Sequence, residues 1–227
     1  MEDGLSMKDM LMSFDLADNG AKYEEYEQHQ KKMEQERIHK LYKESGVPNK
    51  FFDQSFDTFS TLTEGEQEAK RIAIDFATAP KNKVLMMCGN NGNGKTHLAS
   101  AIVRYEIENG NKAEYITSPK LCIAYDSATG YKTRMSREEI INHYCSVNVL
   151  VIDECCKYFL NTELEKFLLL QIVCGRYENN LPTVLVSNSD KKAFVEFMGK
   201  AVYDRLTEVC TTIDFNWESK RKTNREI

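Results

Sequence analysis

The sequence predicts an α/β protein in which a parallel five-stranded sheet is flanked by helices. Three observations predict this class. Short apolar runs rich in Val, Ile and Leu alternate with helical patterns from residue 63 onward. The runs are continuously apolar, which is typical of strands buried on both faces. Finally, 227 residues with 41% hydrophobic side chains provide enough apolar material for the core of such a sheet.

The first 45 residues are predicted to form a helical arm. A short amphipathic helix is indicated by apolar residues at helical spacing, namely Met7, Met10, Leu11 and Phe14. Asp18-Asn19-Gly20 is predicted to end it. Residues 21–45 lack Gly and Pro and predict a long, exposed, charged helix. Two interpretations stay open, a charged helix packing lightly on the main domain and a docking arm for a partner.

Gly46-Val47-Pro48 predicts the end of the arm, because proline disfavours helical geometry in the residue before it. We therefore expect a linker at 46–62 and a core domain at 63–227. Thr63 and Glu66 predict a capping box at the first helix of the core. Ser118 is predicted to cap a later helix, with Pro119 at its first position.

The remaining elements of the core follow in strict alternation. Strands are predicted at 83–89, 112–118, 148–154, 182–188 and 211–217. Between them, helices are predicted at 95–110, from Ser118 onward, at 136–145, at 162–178 and, as two short helices, within 190–209.

Composition limits the class of protein further. The formal net charge is −5, divided as −7 over residues 1–80 and +2 over residues 81–227, so the two parts are expected to meet different partners. Seven cysteines without a C-x-x-C pair, and without a signal peptide before them, favour free thiols in the cytoplasm and disfavour structural zinc. The sequence has no apolar stretch long enough to predict a membrane-spanning helix.

The stretch "CGNNGNGKTHLA" fits the Walker A or P-loop pattern, since it follows a predicted strand and opens a predicted helix. Its glycines let successive amides face an anion, and the helix N-terminus adds about half a positive charge. Lys95 is expected to reach the β and γ phosphates of ATP, and Thr96 to bind Mg²⁺. His97 is interpreted as a packing or hydrogen-bonding residue. The nucleotide-binding segment comprises Gly89, Asn90, Asn91, Gly92, Asn93, Gly94, Lys95, Thr96 and His97.

"VLVIDE" predicts a Walker B strand, with Asp153 and Glu154 emerging at the sheet edge where α/β proteins bind ligands. Asp153 is expected to hold Mg²⁺ and Glu154 to polarise the attacking water. Asn188, after the next strand, is expected to orient that water, and Arg205 to reach a neighbouring subunit's γ-phosphate. A plain turn residue and a surface ion pair with Asp204 stay open as alternatives for Asn188 and Arg205, respectively.

With these motifs in order, residues 40–222 resemble the AAA+ helicase loaders of the DnaC and DnaI type and the related IstB transposition ATPases. The resemblance is carried by "SGVPNKFFDQSFDTF", "GNNGNGKTHLASAI", "YITSPKL", "NVLVIDE", "LVSNSD", "VYDRL" and "FNWESKRK". It departs most in residues 1–40, and the Cys-rich zinc module of the DnaI branch is missing.

The resemblance implies a sheet of AAA+ order without a separate C-terminal lid domain, and ATP bound between subunits of a ring or spiral. It matches Asn188 to the sensor-1 asparagine, Arg205 to the arginine finger and Arg221 to a sensor-2 substitute. It also implies single-stranded DNA and a hexameric replicative helicase as partners, the helicase docking on the arm. DNA contacts are expected from an insertion containing Tyr131, Lys132 and Arg134, for which a solvated basic loop stays open.

The predicted function is therefore an ATP-dependent helicase loader in DNA replication. One alternative is an IstB-like helper of a transposase that binds duplex DNA. The other is a nucleotide-switched adaptor with negligible hydrolysis, which Glu154 disfavours because a pure scaffold needs no catalytic carboxylate.

Overall fold

The computed structural model describes residues 16–80, 83–128, 135–158 and 160–219. The chain divides into two compact units, Met1–Leu41 and Tyr42–Ile227. Across the described ranges, no helix has both the length and the apolar character needed to cross a membrane.

The secondary structure alternates as predicted. The helices are α1 (Leu16–Glu44), α2 (Glu64–Thr78), α3 (Lys95–Glu108), α4 (Ser118–Ser127), α5 (Arg137–Ser146), α6 (Thr162–Glu178), α7 (Lys191–Met198) and α8 (Lys200–Leu206), with a 3-10 turn at Asn49–Phe51. The strands are β1 (Val84–Gly89), β2 (Ala113–Thr117), β3 (Val149–Cys155), β4 (Thr183–Ser187) and β5 (Cys210–Phe215).

The five strands form one sheet of order β2-β3-β4-β1-β5, and every neighbouring pair is parallel. Val84 of β1 is in register with Thr183 of β4 and with Cys210 of β5. The structure thereby confirms the predicted parallel five-stranded sheet. Because parallel strands all end at the same edge, the carboxyl ends of β1, β3 and β4 lie side by side, and the three polar motifs of the sequence lie at these ends.

Apolar side chains fix the helices to the sheet. On one face, Leu121, Leu168 and Phe194 pack in a single buried cluster with strand residues such as Leu150 and Leu185. Complete burial of each such side chain contributes about 1.5–3 kcal/mol relative to exposure. The sheet is consequently a rigid base for the loops at its carboxyl edge.

Two local expectations were wrong. Helix α1 continues through residues 18–20, where a stop was predicted, since one glycine costs a helix only about 1 kcal/mol and the surrounding sequence is strongly helical. Thr117, not Ser118, is the N-cap of α4, and its hydroxyl accepts a hydrogen bond from Lys120 N at 3.4 Å. The short helix predicted around Met7–Phe14 lies outside the described residues.

The segment 46–62, predicted as a linker, contributes buried side chains to the second unit. Val47 and Phe59 are almost fully buried. The amide of Tyr115 on β2 donates a 2.7 Å hydrogen bond to the carbonyl of Ser45. The chain approaching residue 46 thus pairs with the edge of the sheet.

Candidate functional site

The phosphate loop connects β1 to α3 and depends on glycine at its turning points. Gly89, Gly92 and Gly94 all have positive φ angles, of 123°, 86° and 98°. A Cβ on Gly94 would also lie 2.6 Å from the ring of Phe59. Because only glycine adopts such angles without strain, these residues allow the chain to turn tightly from β1 into the N-terminus of α3. A glycine-rich turn that opens a helix is suited to binding an anion.

Lys95, the first residue of α3, is almost completely buried. Its ammonium donates to the carbonyl of Gly89 at 2.7 Å and to that of Asn90. It also lies 5.7 Å from the centre of the Phe215 ring. These contacts hold a positive charge against the phosphate loop, where phosphate groups would be recognised.

Asp153 lies at the centre of a buried hydrogen-bond network. Its Oδ2 accepts hydrogen bonds from Thr96 Oγ1 at 2.8 Å and from the phenol of Tyr115 at 2.6 Å, and its Oδ1 accepts one from the amide of Glu154. Burial raises the pKa of Asp153, and the hydrogen bonds from Tyr115, Thr96 and Glu154 oppose that rise. Burial, together with the neighbouring Asp153 carboxylate, also raises the pKa of Tyr115.

The pair Thr96 and Asp153 fits a magnesium ion. Both side chains present hard oxygen atoms, and magnesium in nucleotide sites is held by one or two such ligands together with the phosphates. No cluster of three or more His, Cys, Asp or Glu side chains able to hold a metal occurs among the described residues. Thr96 and Asp153 are the residues that would hold a magnesium ion bound together with a nucleotide.

Glu154 follows Asp153 in an unusual backbone conformation, with φ of 57°. The pairing of β3 with β4 shifts register between Ile152 and Cys155, so Glu154 lies at a bulge that turns it out of the sheet. Its side chain is 44% exposed, and its Oε1 accepts a 3.1 Å hydrogen bond from the ammonium of Lys157. A carboxylate displayed in this way is accessible to a bound water.

One cavity of about 270 Å³ joins these elements. The structure brings nine of the predicted site residues together in its lining, namely Asn91, Gly92, Gly94, Lys95, Thr96, His97, Asp153, Glu154 and Asn188. Lys157 also lines the cavity, with Lys50, Phe51 and Gln54 from the predicted linker.

Lys50, Phe51, Gln54 and Lys157 were missed by the sequence reasoning. The first three belong to the segment 46–62, and the aromatic residues after Pro48 were a signal that this segment packs rather than links. No spacing rule relates such a segment to a loop 40 residues later. Their position in the cavity places an aromatic ring, an amide and a cation beside the phosphate loop.

Two residues of the nucleotide-binding segment have side chains that contact other parts of the chain. Asn93 is fully buried, and its amide donates to the carbonyl of Phe215 at 3.0 Å and to that of Trp217. His97 has its Nε2 2.9 Å from the carbonyl of Ser55, and its ring meets Phe59 edge to face at 5.2 Å. Asn93 thus connects the loop to the segment after β5, and His97 connects α3 to the segment 46–62.

Several predicted residues are not described. Arg205 is carried by α8, but its side chain is outside the described set. Four further residues lie outside the described residues altogether, namely Tyr131, Lys132, Arg134 and Arg221.

Comparison with known proteins gave consistent matches. A family model described as "IstB-like ATP binding protein" matches residues 9–227. The "Replicative helicase loader DnaC" of Buchnera aphidicola subsp. Baizongia pistaciae is 28% identical over 189 residues, which cover 82% of this chain and 76% of the relative. The "Insertion sequence IS5376 putative ATP-binding protein" of Geobacillus stearothermophilus is 26% identical over 197 residues, covering 84% and 75%.

Among solved structures, the crystal structure of DnaI superimposes with a TM-score of 0.62 at 20% sequence identity. The match covers 77% of this chain and 94% of that one. At this identity the likeness shows a shared fold, and it agrees with the sheet described above.

Proposed function

The chain belongs to the family of IstB-like ATP-binding proteins, and from this premise we propose that it is a loader that uses ATP to deliver a replicative helicase onto DNA. The family and the P-loop fold make the chain an ATPase of the AAA+ class. What the energy of hydrolysis does is the proposed part. It is supported by the relative from Buchnera, which is named a replicative helicase loader.

The observation that carries the proposed chemistry is the 2.8 Å contact between Thr96 and Asp153 beside the exposed carboxylate of Glu154. We assign Lys95 to the β and γ phosphates of ATP, and Thr96 with Asp153 to Mg²⁺. Bound magnesium supplies positive charge that offsets the charge of the phosphates. Glu154 accepts the proton of the attacking water, and Asn188 orients that water from the adjacent strand end.

Arg205 is proposed to act on ATP bound by a neighbouring subunit, and Arg221 to contact ATP from the C-terminal segment. The first assignment has a direct test. Lys95→Ala and Arg205→Ala are each expected to lower ATP hydrolysis by about 10³-fold, the scale of an arginine finger. A mixture of the two variants should regain activity, because some subunit interfaces then combine an intact Lys95 from one subunit with an intact Arg205 from its neighbour. A mixture as inactive as its components contradicts the shared site.

The N-terminal unit is proposed as the docking arm for the helicase. The described part of α1 exposes large apolar side chains, with Tyr26 57% and Met33 51% exposed, within a strongly charged helix. Exposed apolar residues at the surface of a charged helix are suited to packing against a partner. Single-stranded DNA is proposed to contact the insertion that contains Tyr131, Lys132 and Arg134.

We propose that the protein acts in the cytoplasm. Its function is tested with the cognate replicative helicase, single-stranded DNA and ATP. We expect an arm-dependent complex with the helicase and ATP-dependent deposition of helicase on the strand. Tyr26→Ser with Met33→Ser should abolish the complex while leaving ATP binding unchanged. If the wild-type chain neither binds the helicase nor deposits it on the strand, the proposal is contradicted.

A second candidate is a transposase helper that acts on duplex DNA. It is favoured by the relative from Geobacillus, which is named an insertion-sequence ATP-binding protein. The two candidates differ in the nucleic acid they prefer. Competition binding with single-stranded and duplex DNA of equal length, at matched salt, separates them. Preference for the duplex, without helicase binding, favours the helper.

A further inference from the structure

A buried carboxylate, Glu165, lies close to the proposed catalytic glutamate without being part of the cavity. It is in the first turn of α6 and only 1% exposed. Its Oε1 accepts hydrogen bonds from the hydroxyl of Ser118 at 2.6 Å and from the amide of Cys156 at 2.8 Å. The amide of Lys157 lies 3.4 Å from the same oxygen, and that of Tyr158 donates to Oε2 at 3.0 Å.

The donors around Glu165 have a common origin. Three of them are successive backbone amides, 156–158, so the loop that leaves β3 curls around the carboxylate. Successive amides that converge in this way form an anion-binding concavity, here filled by a side chain of the protein itself. A buried carboxyl group is tolerated only with such hydrogen bonds, so the loop conformation and the buried Glu165 side chain depend on each other.

The same loop determines where Glu154 points. Glu154 and Cys156 both have left-handed φ angles, of 57° and 67°, although neither is glycine. Such conformations persist only where the surrounding structure enforces them. On one side the hydroxyl of Ser187 donates to the carbonyl of Cys155 at 3.2 Å, and on the other Glu165 holds the amide of Cys156.

We infer that Glu165 is a positioning residue that fixes the turn after β3 and so directs the Glu154 carboxylate toward the cavity. Ser118, the first residue of α4, extends this restraint to the helix that leads into the predicted DNA-binding insertion. The phosphate loop, Thr96 and Asp153 are held by other contacts. Glu165 should therefore govern the rate of hydrolysis and not the affinity for nucleotide. This inference rests on the proposed role of Glu154 as the catalytic base.

The test compares two substitutions on one helix turn. Glu165→Gln keeps the size of the side chain but directs an NH₂ group at backbone N-H donors or at the Ser118 hydroxyl. We expect it to lower kcat for ATP hydrolysis by about tenfold or more, with the Kd for Mg·ADP within about twofold of wild type. Glu163→Gln is the control, because Glu163 is 83% exposed and pairs only with Lys166 among its described contacts. It should leave both quantities unchanged.

The outcomes are distinguishable. A Glu165→Gln protein with wild-type kcat, or with kcat and affinity lost in parallel, overturns the inference. If Glu165→Gln does not fold, Ser118→Ala is measured instead. Because it removes one hydrogen-bond donor to Glu165, it should lower kcat about threefold and leave the Kd for Mg·ADP unchanged. An unchanged kcat for Ser118→Ala overturns the inference. Glu154→Gln is measured alongside. If Glu154→Gln keeps full turnover, the proposed role of Glu154 as the catalytic base fails. If Glu154→Gln loses turnover while Glu165→Gln keeps the wild-type kcat, only the positioning role of Glu165 is rejected.

Discussion

The phenol of Tyr115 donates a 2.6 Å hydrogen bond to Oδ2 of Asp153, although 38 residues separate the two in the chain. Parallel pairing of β2 with β3 brings them together, since Tyr115 is in register with Val151 two residues before the carboxylate. The oxygen that receives this bond is also the one that contacts Thr96. Tyr115 is thus a support for the proposed metal-binding pair.

Tyr115→Phe should weaken the proposed magnesium site. Hydrogen-bond partners of metal ligands typically contribute 10–100-fold to metal affinity, so we expect the Mg²⁺ concentration for half-maximal ATP hydrolysis to rise about tenfold. The measurement is a magnesium titration of hydrolysis at fixed ATP. Tyr26→Phe, on the exposed face of α1, is the matched control and should titrate like wild type. Superimposable titrations of Tyr115→Phe and wild type reject the supporting role.

Trp217, the single tryptophan of the chain, should report nucleotide binding. Its indole donates to the carbonyl of Asn93 in the phosphate loop at 3.0 Å, and its ring packs against Phe215 at 4.7 Å. Filling the loop with phosphate changes the surroundings of that indole. We expect intrinsic fluorescence to change saturably on titration with Mg·ADP, and Lys95→Ala to require much higher concentrations. Constant emission while equilibrium dialysis records binding contradicts the coupling.

The sequence predicted those parts of the site that depend on local spacing. The phosphate loop, Asp153 and Glu154 were identified because each motif directly follows an apolar strand, and parallel strands end at one edge. Tyr115, Glu165 and Trp217 were missed because no sequence pattern relates each of them to the residues it contacts. No periodicity indicates that a strand tyrosine reaches a carboxylate on the next strand, or that a helix glutamate binds loop amides.

The same reasoning explains the remaining differences in the fold. Gly46-Val47-Pro48 correctly predicts that the helix stops, but a stop does not indicate where the chain goes next. Arg176 is another case, since its guanidinium is fully buried and donates to the carbonyls of Val147 and Pro182. A buried arginine on a helix is indistinguishable, in sequence, from an exposed one.

Glu106→Gln should stabilise the protein at neutral pH. Glu106 is 1% exposed; its Oε2 accepts a 2.7 Å bond from Asn111, and its Oε1 has no partner among the described residues. Burial raises the pKa of Glu106, so the folded state takes up a proton at higher pH than the unfolded chain does. The ionised form therefore destabilises the fold, and we expect the neutral amide to add about 1 kcal/mol to the free energy of unfolding at pH 7.

The pH dependence gives this prediction its sign. A raised pKa means that stability contributed by Glu106 grows as pH falls through the folded pKa and levels off below the ordinary value of 4.5. The advantage of Glu106→Gln should consequently shrink on acidification. Urea denaturation of both proteins between pH 7 and pH 5 measures it. Glu108→Gln, on the exposed face of α3, is the control. An advantage that is constant with pH, or negative at pH 7, contradicts the assignment.

Gly46→Ala should destabilise the protein strongly, because the chain at residue 46 packs on the sheet. Gly46 has φ of 87°, and a Cβ there would lie 2.2 Å from the carbonyl oxygen of Tyr115, a backbone atom that has no room to move within β2. Strain and overlap together should cost about 3 kcal/mol or more in the free energy of unfolding.

Gly110→Ala separates the two effects, since Gly110 has a similar φ of 83° and nothing within 4 Å of its added Cβ. It should lose only about 1 kcal/mol, from backbone strain. Equal losses for the two variants in urea denaturation would show that residue 46 does not press on the sheet, and that the segment behaves as the linker its glycine and proline suggest.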